Sequence, residues 1–89
     1  MRARSLGTWQ ADALEQLAKS EIERASAGWV VLAHPSSPVI PHQTVRSLAD
    51  RGLCRIFWRS GREAARMTQT GRKAWREIEA ARARVRSAA

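Results

Sequence analysis

Residues 42–47 carry His42, Gln43, Thr44, Arg46 and Ser47, five side chains that donate or accept hydrogen bonds, and residues 55–66 add Arg55, Arg59, Arg62 and Arg66 at intervals of three or four. A guanidinium presents a planar fork that matches the paired oxygens of a phosphate or the O6/N7 edge of guanine, and a glutamine amide matches the N6/N7 edge of adenine. The chemistry such residues offer is recognition of a polyanion. No Ser/His/Asp set, carboxylate pair, glycine-rich phosphate loop or metal-ligand spacing accompanies them. His34 and His42 straddle a proline turn, with Asp50 the one carboxylate nearby. The chain is therefore read as a protein that is not an enzyme, with no cofactor, no metal and no evident small-molecule ligand.

The charge is uneven. Residues 1–40 hold four basic and four acidic side chains, whereas residues 41–89 hold twelve and four, so the formal net charge of +8 belongs to the second part. A local basic field concentrates polyanions and speeds their association; nucleic acid, an acidic protein face and an anionic membrane surface are the candidate partners. Fourteen of the sixteen cations are Arg. A GC-rich genome also enriches Arg and Ala codons, so the Arg excess alone does not choose among them.

With 89 residues the chain is one domain with a thin core. A domain of this size buries only somewhat above ~60% of its unfolded surface, and self-association would widen its stability margin. The single cysteine, Cys54, excludes an internal disulfide, and with only His34 and His42 as further soft ligands a zinc site is not expected. Cys54 is read as small core filler, with redox sensing as the minor alternative. No apolar run approaches the roughly 18 residues of a membrane span, and residues 1–4 lead into a mixed segment, so the expected setting is the cytoplasm.

Three helices, a short strand or hairpin and a longer hairpin must position these residues. After an arm over residues 1–7, residues 8–26 read as an amphipathic helix, with Trp9, Leu14, Leu17, Ala18, Ile22 and Ala25 on one side and Gly28 as its stop. Residues 29–33 are apolar and rich in β-branched and aromatic types, which predicts a strand; residues 35–38 turn the chain, and Val39 and Ile40 form a brief return strand or an extended lead-in. Pro41 opens a helix over residues 41–51 whose Val45, Leu48 and Ala49 face the core, and Gly52 ends it with Leu53 as the closing apolar contact. Residues 54–67 read as a hairpin turning at 60–62, with Arg55, Phe57 and Arg59 on one face and Ile56 and Trp58 on the other. Thr68 is an N-cap for a last helix over residues 69–85 that packs on the first and frays past Arg84. Trp9, Trp29, Trp58 and Trp75 occupy apolar-phase positions of four elements, which predicts a shared indole core instead of a base-stacking platform.

The run TVRSLADRGL, a short hairpin and then MTQTGRKAW resembles the recognition helix, wing and last-helix start of small bacterial and phage winged-helix proteins related to multiple-drug-resistance repressors. The resemblance covers roughly residues 41–78 and rests on about eight positions. It implies an α+β winged helix and double-stranded DNA as partner, with the 41–51 helix in the major groove and the 55–66 wing on phosphate or minor groove. An ordinary member has a further helix before the recognition helix. Here about fifteen proline-constrained residues separate Ala25 from Pro41, so a strand or hairpin is expected in its place.

Together the residues and the resemblance give His42, Gln43, Thr44, Arg46, Ser47, Arg55, Arg59, Arg62 and Arg66 as candidate DNA-binding residues. A small transcriptional regulator or phage control or architectural factor is expected, possible as a homodimer through the first and last helices. The alternative is a winged-helix interaction module that sets its basic face against an acidic protein. Arg46 and the Arg62 loop are expected to project from one side as a continuous cationic surface.

Overall fold

The computed structural model describes residues 6–88, so residues 1–5 of the expected arm lie outside the described residues. The elements run α1 (Thr8–Lys19), β1 (Ile22–Arg24), β2 (Trp29–Val31), α2 (His42–Asp50), β3 (Cys54–Arg59), β4 (Arg62–Met67) and α3 (Gln69–Ala88). The chain is α+β: three helices lie on an antiparallel sheet of order β2-β1-β4-β3. No helix among the described residues is long and apolar enough to cross a membrane.

The first helix is shorter than its periodicity suggests. It stops at Lys19 because Ser20 adopts an extended backbone, with φ −162°, and its hydroxyl donates to the Glu21 carbonyl while accepting from the Ala33 N–H at 3.2 Å. Ile22, expected on the helix, is instead the centre of the sheet, paired with Val31 on one side and Ala65 on the other. The ambiguity is physical, since Ile22 fits both a helical repeat through Leu14 and Ala18 and a strand in which it shares a face with Arg24. Gly28 lies in the β1–β2 turn and does not end a helix. The strand expected over residues 29–33 closes at Val31, with Leu32 and Ala33 in the following turn; Ile40 makes a single antiparallel bridge to Trp29. A hairpin does precede α2, but β1 supplies the strand that the sequence assigned to a helix.

The core gathers Leu14 and Leu17 from α1, Ile22 and Val31 from the sheet, and Val45 and Leu48 from α2. Of the four indoles, Trp29 is buried and Trp75 half-buried, whereas Trp9 and Trp58 are 70% and 72% exposed, so the expected shared indole core does not form. Arg82 ties α3 to α1 by donating to Glu15 at 3.0 Å, and its guanidinium lies over the Trp75 ring. That hydrogen bond holds the Glu15 carboxyl below its ordinary pKa. The last helix continues to Ala88, past the end expected near residue 85, because its Ala- and Arg-rich end has strong intrinsic helix preference.

A backbone clamp joins the end of α2 to the start of α3. Gly52, at φ 74°, donates to the Ala49 carbonyl at 2.9 Å, and Leu53 donates to the Leu48 carbonyl at 2.9 Å, the paired bonds of a Schellman stop. The Thr68 hydroxyl donates to the Gly52 carbonyl at 2.6 Å and accepts from the Gly71 N–H at 3.0 Å, capping α3 and binding it to the α2 stop in one step. The Leu53 carbonyl accepts from the Thr68 N–H at 3.2 Å, and the first turn of α3 lies so close that a Cβ on Gly71 would sit 1.9 Å from that oxygen.

Replacing a helical Gly by Ala ordinarily stabilises by ~1 kcal/mol. Gly71→Ala is expected to reverse that sign and destabilise by about 1–3 kcal/mol, read as a fall in the urea midpoint, because the methyl group must displace backbone. Cys54, buried with its thiol 3.7 Å from the Val45 carbonyl oxygen, has its pKa pushed up by burial from 9.0 to about 11. The native state therefore holds this proton more tightly than the unfolded chain, and its stabilising effect is intact below pH 9 and lost between about pH 9 and 11. Stability should fall more steeply across that window in the wild type than in Cys54→Ala.

Candidate nucleic-acid interface

The exposed side of α2 faces a groove over the inner face of the sheet. His42, Gln43 and Arg46 of α2 line it together with Arg24, Trp29, Ile56 and Glu63 of the sheet. The groove continues toward the tip of the β3–β4 hairpin, where Ala25, Ser26, Trp58, Gly61 and Arg62 line it, and Arg24, His42 and Glu63 belong to both parts. The groove holds about 270 Å³ at its α2 end and about 350 Å³ at its tip end, and both ends are open. Its open shape suits one ridge of a larger ligand.

Local structure explains each placement. In α2 the core-facing Val45 and Leu48 leave His42, Gln43, Arg46 and Asp50 on the other side. His42 begins the helix, and its Nε2 lies 3.4 Å from the Ser26 carbonyl oxygen, so the helix start is held against the β1–β2 turn. On the inner face of the sheet, Arg24 of β1 pairs with Glu63 of β4 across the floor of the groove. Arg46 is exposed and makes no ion pair with a described residue.

Five of the nine residues singled out in the sequence do not line this groove. Ser47 accepts a hydrogen bond from the Gln10 side chain, whose other end accepts from the Gly7 N–H; it belongs to the α1–α2 contact. Thr44 is half-buried one turn earlier on the same flank. The hairpin arginines divide by strand alternation. Arg55, Phe57 and Arg59 of β3 share the outer face with Arg62, Ala64 and Arg66 of β4, while Ile56, Trp58, Glu63 and Ala65 take the inner one. Arg55, Arg59 and Arg66 therefore point away from α2. Arg62, at the tip, lines the groove and also reaches Glu23 on the outer side at 3.1 Å. Arg46 lines the α2 end of the groove and Arg62 its tip end, and strand alternation sets Arg55, Arg59 and Arg66 on the outer face, so no single cationic surface joins all five.

Sequence reasoning missed Arg24, Glu63 and Trp58 as groove residues. Arg24 was hidden by the helical reading of residues 8–26. Trp58 was assigned to the core by its alternation with Cys54 and Ile56, although it sits near a hairpin tip where nothing lies above it. No protein-family model, curated protein or solved structure matches this chain.

The Arg24–Glu63 pair is partly solvated, and such pairs contribute about 0–1 kcal/mol. Glu63→Gln should accordingly leave the urea midpoint nearly unchanged while unmasking Arg24. Elution from immobilised heparin at higher salt than the wild type is the expected result; unchanged elution would mean that the groove does not meet the polyanion.

Proposed function

We propose that this chain binds double-stranded DNA as a small regulatory or architectural factor, through a winged-helix arrangement in which the β1–β2 hairpin replaces the helix that ordinarily precedes the recognition helix. The observation that carries the reading is the groove that joins Gln43 and Arg46 of α2 to Arg62 at the hairpin tip, by way of Arg24 and His42. The excess charge of residues 41–89 supports it, because phosphate neutralisation supplies most sequence-independent affinity.

Roles follow from position. Arg46, mid-helix, and Gln43, in the first turn, are both exposed and address base edges in the major groove, the guanidinium reading guanine and the amide adenine. Arg62 and Arg24 contact phosphate, which fixes register without reading sequence. His42 sets the start of α2 on the β1–β2 turn. Trp58, exposed beside Arg62 and Gly61, offers an apolar face to the sugar edge or to the minor groove.

The test is selection from random duplexes followed by a salt titration. Arg46→Ala should relax base preference at one position, with a loss of about 1–3 kcal/mol on the preferred site, whereas Arg62→Ala should weaken all duplexes alike and reduce the salt slope by about 1. Equal losses from both variants on every sequence would contradict the roles. Salt-sensitive binding to an acidic protein, with no binding to any duplex, would replace DNA by that partner.

A further inference from the structure

The outer face of the sheet carries a charge arrangement of which the groove uses only Arg62. Arg55 stands directly across from Arg66, and Arg59 directly across from Arg62. Like charges facing each other on neighbouring antiparallel strands destabilise the pairing. Near the tip the conflict is relieved, since Arg59 pairs with Glu21 and Arg62 with Glu23 at 3.1 Å. Arg55 and Arg66 are exposed and pair with no carboxylate among the described residues. Edge protection accounts for part of this, because β3 is an edge strand and charge there discourages strand addition. It does not account for Arg66, which lies on β4, an interior strand.

Phe57 sits between the two arginine pairs. Its ring takes the Arg66 guanidinium at 5.0 Å and that of Arg59 at 5.1 Å from its centroid. Stacking on an aromatic face restricts where a guanidinium can go and leaves its N–H edge free for oxygen acceptors. Arg55 and Arg66, facing each other with no carboxylate beside them, are stabilised by an anion that sits between them.

We infer that this outer face seats the phosphate backbone of a second duplex, so that one copy of the chain joins two DNA segments lying on opposite sides of its sheet. The inference rests on the α2 groove being the first duplex site. Phosphate contact makes the outer site insensitive to sequence, in contrast to the α2 side.

Donor-labelled and acceptor-labelled duplexes mixed with the full chain test it. Energy transfer should appear once protein exceeds what saturates the first site. Arg55→Ser combined with Arg66→Ser should raise the protein concentration needed for transfer at least tenfold and lower the salt slope of the joining step by about 2, with single-duplex affinity changed no more than threefold. Arg55→Lys with Arg66→Lys, which keeps the charges, should retain transfer and guards against a folding defect in the serine variant. Single-duplex binding without transfer in the wild type overturns the inference and leaves the α2 reading standing. Transfer undiminished in the serine variant also overturns it, because two associated copies then do the joining. If poly-glutamate of matched charge displaces the second duplex as well as DNA does, the occupant is an acidic polypeptide and the inference fails. Absence of binding to any duplex removes the α2 reading as well.

Discussion

The carbonyl groups of Gly52 and Leu53 fix the relation between the three elements that matter. They accept the hydroxyl and the N–H of Thr68 at the head of α3, with Gly71 pressed against the second of them, while the N–H groups of the same two residues close α2 on the Ala49 and Leu48 carbonyls and β3 starts at the next residue. Since α2 and the β3–β4 hairpin depart from the same two residues, the angle between them is set by backbone hydrogen bonds and not by side-chain packing alone. A thin core makes that economy useful. Among the described residues the largest fully buried side chains are five aliphatic ones, Leu14, Ile22, Leu48, Val31 and Val45, so directional backbone contacts supply definition that bulk cannot.

The groove follows from this geometry together with the β1–β2 hairpin. By pairing β1 with β4, the fold brings Arg24 from the charge-balanced first part of the chain beneath Arg46 of the basic second part. Acidic residues from β1 and its approach, Glu21 and Glu23, meanwhile neutralise the arginines nearest the hairpin tip on the outer face. The sheet arginines are thus divided by strand alternation, with Arg24 on the inner face in the groove beside α2 and Arg55, Arg59, Arg62 and Arg66 on the outer face around Phe57. Each face has a different shape, and shape is what separates reading a base edge from holding a backbone.

Much of residues 41–71 was legible in the sequence because turn chemistry specifies it locally. Gly52 needs a left-handed backbone, Ser60-Gly61 closes a two-residue hairpin loop with both residues at positive φ, and Thr68 caps the helix it precedes. The residues that carry the winged-helix resemblance, RGL and MTQTGR, are largely those of the clamp, so the resemblance speaks to geometry more than to target. The region before Pro41 was less legible. Ile22 satisfies two periodicities, and the choice between them depends on Val31 and Ala65, partners 9 and 43 residues away. Which arginines face α2 depends on the same pairing. The exposure of Trp9 and Trp58 was hidden for a related reason: apolar phase shows which way a side chain points, not whether another element covers it.

The central claim is that the α2 side and the hairpin tip act as one surface toward DNA, and amide chemical-shift mapping during titration with a selected duplex tests it most directly. At the first equivalent the amides of residues 42–46, of Arg24 and of residues 58–62 should shift together, while those of residues 76–86 on α3 stay in place. Shifts confined to α3, or an outer-face response at the first equivalent with α2 unmoved, would contradict the account.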